Sequence, residues 1–597
     1  MKARRAVIAL SLLAVTLFLL FPFFGGGIST NTDFNTSVLS QAVITAVIVI
    51  SLNLVMGVTG LLTLVQTGML SVGGYALGYV ALRHEVNPLY IIPISMIAAA
   101  FLSWILILIS GRAMDLYFGL ITLAFSLALV TIAQQWTPVT GGFIGMNNIP
   151  TPHVNGERMP KVAVYAIFLA ILIVVFIVQR NLMLSPRGRA MEAVRISPAT
   201  AQSLSISPRK IRTFAFVFGG AIAGLGGAMY AINLRSISPA AGGLSSSLVL
   251  FIALFLGGLG TVIGPLIGVM LLTITQVAIR GQGPYQDLIL GLLLLLSMFT
   301  IPLGVVGSWN KSRFAIPRKL PELAHEIHAD GILLEKQKIN ESNRGNVVLE
   351  SDAVSRNFGG VNAVSDVNFK LTAGQVHGII GPNGAGKSTL VNCLTGFDTP
   401  NSGNVLLRGK KMPADPIAFA TSGVARVFQI PHVLDNLSVI DNVLVGIDSR
   451  KPTSWLAALI RLPKFRKAEA KKRNEALRLL SEAGIADLAA KPASICSHGQ
   501  KRLLEIVRAV ATHPDILILD EPATGLTGTE LTMLSTLISN LRGTGVAVLL
   551  IEHNVDFVFQ LSDQITVLHL GKVLISAAPA EVRASKAVQD AYLVGGR

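Results

Sequence analysis

Through Asn310 the chain carries six acidic residues, Asp33, Glu85, Asp115, Glu157, Glu192 and Asp287; the other 27 of its 33 acids lie beyond that point. Sequence this poor in acids, divided into apolar runs of about twenty residues, matches the hydrocarbon thickness of a bilayer. The runs fall at 6–24, 38–58, 61–82, 90–110, 116–134, 162–179, 212–232, 247–278 and 286–304. The fold class expected is multi-domain: an N-terminal polytopic α-helical membrane domain over 1–305, a cytoplasmic linker over 306–345, and a C-terminal α/β P-loop domain over 346–597. The net charge of +16 does not mark a nucleic-acid binder. The bases of the first half sit in short loops between apolar runs, where they hold those loops on the inner side. Membrane lipid, with no nucleic acid, is the surrounding expected.

The basic loops set the orientation. Lys2, Arg4 and Arg5 place the N-terminus inside, and Arg112 marks an inner loop. The densest inner loop holds Arg180, Arg187, Arg189, Arg195, Arg209, Lys210 and Arg212; Lys311, Arg313, Arg318 and Lys319 follow the last run. The run at 6–24 reads as a first span, because it is long, ends in Phe23-Phe24-Gly25 and lacks a small-x-small cleavage site. With both ends inside, the crossings must be even in number, yet nine runs are present. The run at 247–278 resolves this. It is long for one span and is broken by Gly257-Gly258-Leu259-Gly260-Thr261 and Gly264-Pro265. It reads as two short helices, either tilted crossings or a re-entrant hairpin, which gives eight or ten crossings.

Small residues crowd the stretch from Gly57 to Tyr75, where Gln66 requires a polar partner. The expectation there is a tightly packed helix pair, with pathway lining as the alternative. The outer loop Thr140-Gly141-Gly142-Phe143-Ile144-Gly145 reads as a turn, with a gate as the alternative. The inner loop from Arg180 to Arg212 includes a helix-compatible stretch near Ala199–Leu204, punctuated by Pro186, Pro198 and Pro208. It is either a topogenic basic loop or a helix that docks on the soluble half.

That half carries the chemistry. Gly378-Ile379-Ile380 reads as a buried strand running into Gly381-Pro382-Asn383-Gly384-Ala385-Gly386-Lys387-Ser388-Thr389 and then an apolar helix. This is the context a phosphate-binding loop requires. Backbone N–H groups of Gly384 to Ser388 and the helix N-terminus would wrap a β-phosphate. Lys387 would bridge β- and γ-phosphates, and the Ser388 hydroxyl would ligate Mg²⁺. Downstream, Ile516 to Leu519 forms a strand ending in Asp520, which would hold Mg²⁺ through its water shell, and Glu521, placed to polarise an attacking water. A second apolar strand, Val546 to Ile551, ends at Glu552-His553, and His553 reads as a γ-phosphate sensor. Both cysteines, Cys393 and Cys496, lie in this half, so no disulfide framework is expected.

Between these elements stands Cys496-Ser497-His498-Gly499-Gln500, just before an expected helix Lys501–Thr512. In this order the motifs resemble the nucleotide-binding domain of an ATP-binding cassette transporter, whose signature is Leu-Ser-Gly-Gly-Gln. The resemblance implies that Phe358 stacks on adenine and that Gln429 is the Q-loop glutamine contacting Mg²⁺. It implies that His553 is the switch histidine, and that Ser497, Gly499 and Gln500 face the ATP of a partner cassette. His498 replaces the first signature glycine, and Thr527 stands where the D-loop commonly has aspartate.

Both halves are similar to the importers of branched-chain (hydrophobic) amino acids. The cassette resembles one of their ATPase subunits through Phe358-Gly359-Gly360, Leu550-Ile551-Glu552-His553 and Ala591-Tyr592-Leu593. The membrane half resembles one of their permeases through Gly60 to Gln66, Leu116 to Leu123, Thr140-Gly141-Gly142 and Ala223 to Ala228. The inner loop Gly188-Arg189-Ala190 through Leu204 matches their coupling loop, with Ser205 at its usual glycine and Pro198 intruding. The resemblance implies ATP-driven uptake in a bacterial inner membrane, with both termini and the ATPase cytoplasmic. Its partners would be a second permease, a second cassette, a soluble substrate-binding protein and an amino-acid substrate. Urea or short amides are the alternative cargo; an exporter or a membrane-anchored cassette without transport is more remote. The basic segment Lys464 to Arg478 reads as a solvated helix face rather than a lipid contact.

Overall fold

A computed structural model describes residues 32–111, 116–279, 285–311, 345–450, 454–460 and 463–594. The expected first span at 6–24 and nearly all of the linker lie outside the described residues. The chain divides into two units, Met1–Met191 with Arg209–Ile316, and Glu192–Pro208 with Pro317–Arg597. The inner-loop segment thus groups with the soluble half, a division that hydropathy alone does not reveal.

In the first unit, six helices among the described residues are long and apolar enough to cross a membrane: Thr36–Val58, Pro88–Ser110, Leu116–Gln135, Lys161–Met183, Pro208–Leu234 and Leu288–Trp309. Thr36–Val58 and Pro208–Leu234 are each 83% buried over their most apolar window, against 18% for Leu288–Trp309. The first two therefore form the centre of this unit, and the last presents Leu288, Leu292, Leu295 and Leu296 outward. The run expected at 61–82 becomes helix Gln66–His84, starting later than its apolarity suggested. The non-helical lead-in is tied elsewhere, with the Leu64 N–H donating to Thr122 Oγ1 at 3.2 Å. Gln66 has the partner its position demanded, because Ser51 Oγ donates to Gln66 Oε1 at 3.0 Å and to the Gly219 carbonyl at 2.7 Å.

The glycines of this unit are contact points. A Cβ on Gly73 would strike the Gly224 backbone, and one on Gly227 would strike the Leu70 carbonyl. Helix Gln66–His84 and helix Pro208–Leu234 therefore meet backbone to backbone, as small residues permit in lipid.

The run at 247–278 is two helices, Leu244–Gly257 and Gly264–Ala278, parted where the glycines predicted. They cross closely, since a Cβ on Gly268 would meet the Ala253 carbonyl. Their turn is held by Asn53, whose Oδ1 accepts from the Gly260 N–H at 2.8 Å and whose Nδ2 donates to the Thr261 carbonyl at 3.0 Å. Asn53 opens a π-helix, Asn53–Val58, which continues helix Thr32–Leu52. The loop at Thr140–Gly145 is a turn, with Gly141, Gly142 and Gly145 all at positive φ.

The second unit is built on a six-stranded sheet in the order Val424–Val427, Ile516–Asp520, Ala547–Ile551, Val376–Ile380, Gln564–His569, Lys572–Ala577. The first four pairings are parallel and the last is antiparallel. Every residue of Val376–Ile380, Ile516–Asp520 and Ala547–Ile551 is buried, as strands covered on both faces require. A second, antiparallel sheet orders Val361–Thr372, Val347–Phe358, Ser402–Leu407 and Lys410–Lys411. His377 stands inside the central strand with its Nε2 2.8 Å from Thr566 Oγ1, and burial pushes its pKa down to about 4.

Within this unit the segment from the inner loop forms helix Pro198–Ser203, packed near helix Pro416–Thr421 and strand Val424–Val427. Pro198 does not intrude. It occupies the first turn, where its missing N–H costs nothing, and Ser197 caps it by accepting from the Thr200 N–H at 3.2 Å. Ser205, standing at the usual glycine, adopts φ +60°, the left-handed backbone that glycine supplies without strain. Asn436 Nδ2 donates to Glu192 Oε1 at 2.9 Å.

Candidate functional site

The site grows from the C-terminal ends of the parallel strands. Strand Val376–Ile380 delivers the chain into Gly381–Gly386, and helix Lys387–Leu394 begins immediately after. Gly386 caps this helix at φ +97°, and a Cβ there would run into the Ala363 carbonyl. Gly384 also has positive φ but faces open space, so its backbone is accessible to a ligand. Asn383 and Ser388 are exposed, Thr389 is half-buried and Ala385 is buried. Lys387 is buried and donates to the Gly381 and Pro382 carbonyls at 2.7 and 3.0 Å. Burial holds its pKa below the usual lysine range, against the pull of Glu521 and Asp520.

Three neighbouring strands bring the other groups to the same edge. Gln429 follows Val424–Val427, Asp520 and Glu521 end Ile516–Asp520, and His553 follows Ala547–Ile551. Glu521 carries a φ of +49°, an uncommon backbone for a side chain of this kind. Its carboxylate is bridged on both sides: Gln429 Nε2 donates to Oε2 at 2.7 Å, and His553 Nε2 sits against Oε1. The structure thus brings Lys387, Gln429, Asp520, Glu521 and His553 to one strand edge.

Two residues that the motif reading assigned no role hold these groups in place. Glu552 is buried, accepting from the Ala523 N–H at 2.6 Å and from the His553 N–H at 3.1 Å. Burial raises its pKa and these N–H groups oppose the rise. It therefore fixes the backbone after Glu521 relative to His553. Arg426 is buried with its Nη2 3.1 Å from Asp520 Oδ2, and its Nη1 donates to Asn392 Oδ1 at 2.8 Å. Burial lowers its pKa and Asp520 opposes that shift. A full charge inside an otherwise apolar strand, Val424-Ala425-Arg426-Val427, was the readable signal.

Ser497, Gly499 and Gln500 lie at the start of helix His498–Val510, three residues earlier than the start expected at Lys501. Ser497 and Gln500 form a capping box: Ser497 Oγ accepts from the Gln500 N–H at 3.1 Å, and Gln500 Oε1 accepts from the Ser497 N–H at 3.0 Å. The Ser-x-x-Gln spacing announces such a box, and the expected boundary overlooked it. Glu530 packs under the turn, with Ser497 Oγ at 3.4 Å, and a Cβ on Gly499 would enter its carboxylate. Among the described residues, none of these bonds reaches the P-loop of the same chain. Thr527 caps helix Gly528–Gly543, again with Glu530 in the reciprocal position. Phe358 ends its strand half-exposed, with the Arg356 guanidinium 4.5 Å from the ring centroid.

The helix that starts at the capping box also carries a buried charged triad. Arg502 Nη1 lies 3.1 Å from Glu505 Oε2, and Arg508 Nη2 lies 3.5 Å from Glu505 Oε1. Arg502 donates to the Asp520 carbonyl at 2.5 Å and to the Phe428 carbonyl, while Arg508 donates to the His432 carbonyl at 2.8 Å. This ties the helix to the end of the Asp520 strand and to the segment that carries Gln429.

Comparison with known proteins agrees with both units. Residues 34–298 match the family described as branched-chain amino acid transport system / permease component, and residues 364–524 match the ABC transporter family. The high-affinity branched-chain amino acid transport ATP-binding protein BraF of Pseudomonas aeruginosa is 40% identical over 248 residues, covering 41% of this chain and 97% of that protein. Its counterpart LivG of Escherichia coli is 38% identical, with the same coverage of both chains. A crystal structure of a nucleotide-free ATP-binding cassette from an ABC transporter aligns at 29% identity and a TM-score of 0.36, covering 41% of this chain and 98% of that one. The chain belongs to the branched-chain amino acid family of ATP-binding cassette transporters, with a membrane permease and an ATP-hydrolysing, ATP-binding cassette joined in one polypeptide.

Proposed function

We propose that this chain is half of an importer that takes up branched-chain or similar hydrophobic amino acids from a soluble binding protein. The observation that carries the reading is the pairing within one polypeptide. A branched-chain permease match occupies 34–298, and a cassette 40% identical to BraF follows it. In this reading the permease domain is 1–305, the linker 306–345 and the cassette 346–597. The chain lies in a bacterial inner membrane with both termini and the cassette cytoplasmic.

Ten crossings fit the packing best. The Gly242 carbonyl accepts from Thr67 Oγ1 and from Ser126 Oγ, both at 3.3 Å, so the irregular chain after Ser236 runs among protein at membrane depth. Irregular backbone is tolerated there only with such partners. Helix Leu244–Gly257 then carries the chain to the Asn53 turn, and Gly264–Ala278 carries it back.

In the proposed chemistry Gly381, Asn383, Gly384, Ala385, Gly386 and Thr389 shape the phosphate cradle, and Phe358 stacks on adenine. Ser388, Gln429 and Asp520 present a hydroxyl, an amide oxygen and a carboxylate, the hard oxygen donors that suit Mg²⁺ beside phosphates and water. Mg²⁺, when bound, neutralises charge on the transferred phosphoryl group. Lys387 leaves the Gly381 and Pro382 carbonyls for the β- and γ-phosphates. Glu521 orients and deprotonates the attacking water, and His553 senses the γ-phosphate. Ser497, Gly499 and Gln500 complete the ATP site of a second cassette, whose own signature completes this one; a second permease accompanies it.

The test is reconstitution in vesicles with candidate binding proteins, a second permease and a second cassette. ATP-dependent uptake of leucine in preference to urea supports the reading. ATPase activity without leucine uptake overturns it. Glu521→Gln is expected to lower turnover by at least about a hundredfold, the low end of general-base contributions, with ATP binding retained. Hydrolysis near the parent rate removes Glu521 as the base.

A further inference from the structure

We propose that the cleft between helix Thr32–Leu52 and helix Gly264–Ala278 is a transit site for a neutral, zwitterionic amino acid with an aliphatic side chain. This deepens the uptake reading above and rests on it. The cleft has a volume of about 260 Å³. Apolar cavities of about 150 Å³ hold a benzene molecule, so the space suits a small amino acid.

Its lining is divided in a way that lipid does not require. Gln41 and Thr45 on one wall face Thr273 and Gln276 on the other. Positions 38, 41, 42 and 45 share one helix face, as do 272, 273, 276 and 277. Val38 and Ala42 stand beside the first polar pair, and Leu272 and Val277 beside the second. Gln41 lies five residues, about 7.5 Å at 1.5 Å per residue, inside the apolar span Thr36–Val58, so its amide is within the membrane-spanning stretch. Its Oε1 is buried and makes no hydrogen bond. Thr45 Oγ1 donates to the Gln41 carbonyl at 2.8 Å, which leaves the hydroxyl oxygen available as an acceptor. A polar side chain unsatisfied at membrane depth is costly; Ser71, Ser95 and Gln179 are others in this unit, and Gln41 is the one that lines the cleft.

The chemistry of the walls selects the ligand. Amide carbonyls and hydroxyl oxygens accept from an ammonium group, and amide N–H groups donate to a carboxylate. None of the lining residues is charged, so a zwitterion of zero net charge is matched and a cationic or anionic side chain is left unpaired. The valine, alanine and leucine walls receive the aliphatic side chain. Both walls are tied at one end, because Asn53 continues the first helix and holds the turn that precedes the second.

The experiment uses the full chain with its partner subunits and binding protein in vesicles. Gln41→Leu and Gln276→Leu are each expected to lower leucine uptake at least tenfold, while basal ATPase without binding protein stays within twofold of the parent. A second readout guards against misfolding: Thr273→Cys is alkylated by a membrane-permeant maleimide, and leucine slows the labelling while lysine does not. Parent-like leucine uptake by both glutamine variants overturns the proposal alone. So does labelling of Thr273→Cys that leucine leaves unchanged, which marks the cleft as lipid-facing. A parent chain that moves no leucine overturns the uptake reading and this proposal with it.

Discussion

The two units bury polar groups in opposite ways. In the cassette, whole charges are buried and paired: Arg502 and Arg508 bracket Glu505, and Arg426 meets Asp520. In the membrane unit, the buried polar groups are mostly hydroxyls and amides, with Arg189 the one buried charge among the described residues, and many of the hydroxyls bond to backbone carbonyls. Thr59 donates to Val55 at 2.6 Å, Ser103 to Ala99 at 2.8 Å and Ser110 to Leu106 at 2.6 Å. The difference follows from the solvent. In water, removal of apolar surface drives folding strongly enough to carry a few matched charges inside. In lipid that drive between helices is missing, so close backbone approach and local hydrogen bonds take its place.

The charged triad gives the largest expected effect. Glu505→Ala leaves two guanidinium groups buried without their carboxylate, an arrangement that costs about 3–5 kcal/mol. Chemical denaturation of the cassette within the full chain measures it, and ATPase activity falls with the folded fraction. A loss under about 1 kcal/mol, the range of an exposed pair, would mean that water reaches the triad and that the contrast between the units is overdrawn.

His377 comes next. Its folded-state pKa of about 4 lies below the ordinary 6.5. The unfolded chain therefore takes up the proton first as pH falls. The stability tied to neutral His377 is full above about 6.5, is lost between there and about 4, and is level below. At 1.36 kcal/mol per pKa unit the loss is roughly 3 kcal/mol. Denaturation midpoints across that interval check it, and His377→Leu should flatten this part of the profile. The membrane unit has no counterpart among the buried groups described above, so its own unfolding should vary less with pH there.

Gly73→Ala tests the other side of the comparison through its sign. In an exposed helix of a soluble domain, glycine to alanine stabilises by roughly 0.5–1 kcal/mol. At Gly73 the added Cβ meets the Gly224 backbone, and overpacking of this kind costs about 1–3 kcal/mol. Thermal unfolding in detergent should show a loss. A gain would mean that the two helices are free to separate.

What was legible in the sequence divides along the same line. The P-loop, the acids at the end of Ile516–Asp520 and the broken run at 247–278 were readable because glycine spacing and strand-to-helix switches are local properties. Arg426 escaped because Asn392 and Asp520 lie far along the chain, and Glu552 because Ala523 does. The pairs within the Arg502–Glu505–Arg508 triad are local, three residues apart, but their burial against Phe428, His432 and Asp520 is tertiary. The start of the signature helix was local and still misjudged, since the resemblance assigns Ser497 and Gln500 to a partner's ATP and not to a cap. Pro198 was misjudged for a related reason. Proline breaks a helix interior but suits a first turn, and only the position of Ser197 as cap decides between them. The grouping of Glu192–Pro208 with the cassette agrees with the docking-helix reading, which came from the resemblance to a coupling loop and not from the basic residues around it.

Ser51→Ala carries the smallest expected effect and bears most directly on the comparison. Ser51 Oγ bonds both Gln66 Oε1 and the Gly219 carbonyl, so it joins three helices at the centre of the membrane unit. By the reasoning applied to the cassette, its removal should be severe, because Gln66 loses its donor inside lipid. By the behaviour of hydrogen bonds between membrane helices it should be mild, about 0.6 kcal/mol and at most roughly 1.7. The membrane-inserted unfolded state finds other donors for Gln66, and the Gly219 carbonyl keeps its own place in the helix. The mild outcome is expected, measured as a shift of the unfolding midpoint in mixed micelles. A cost near 3 kcal/mol would place this neutral pair beside the buried ion pairs of the cassette, and solvent would no longer explain why the two units differ.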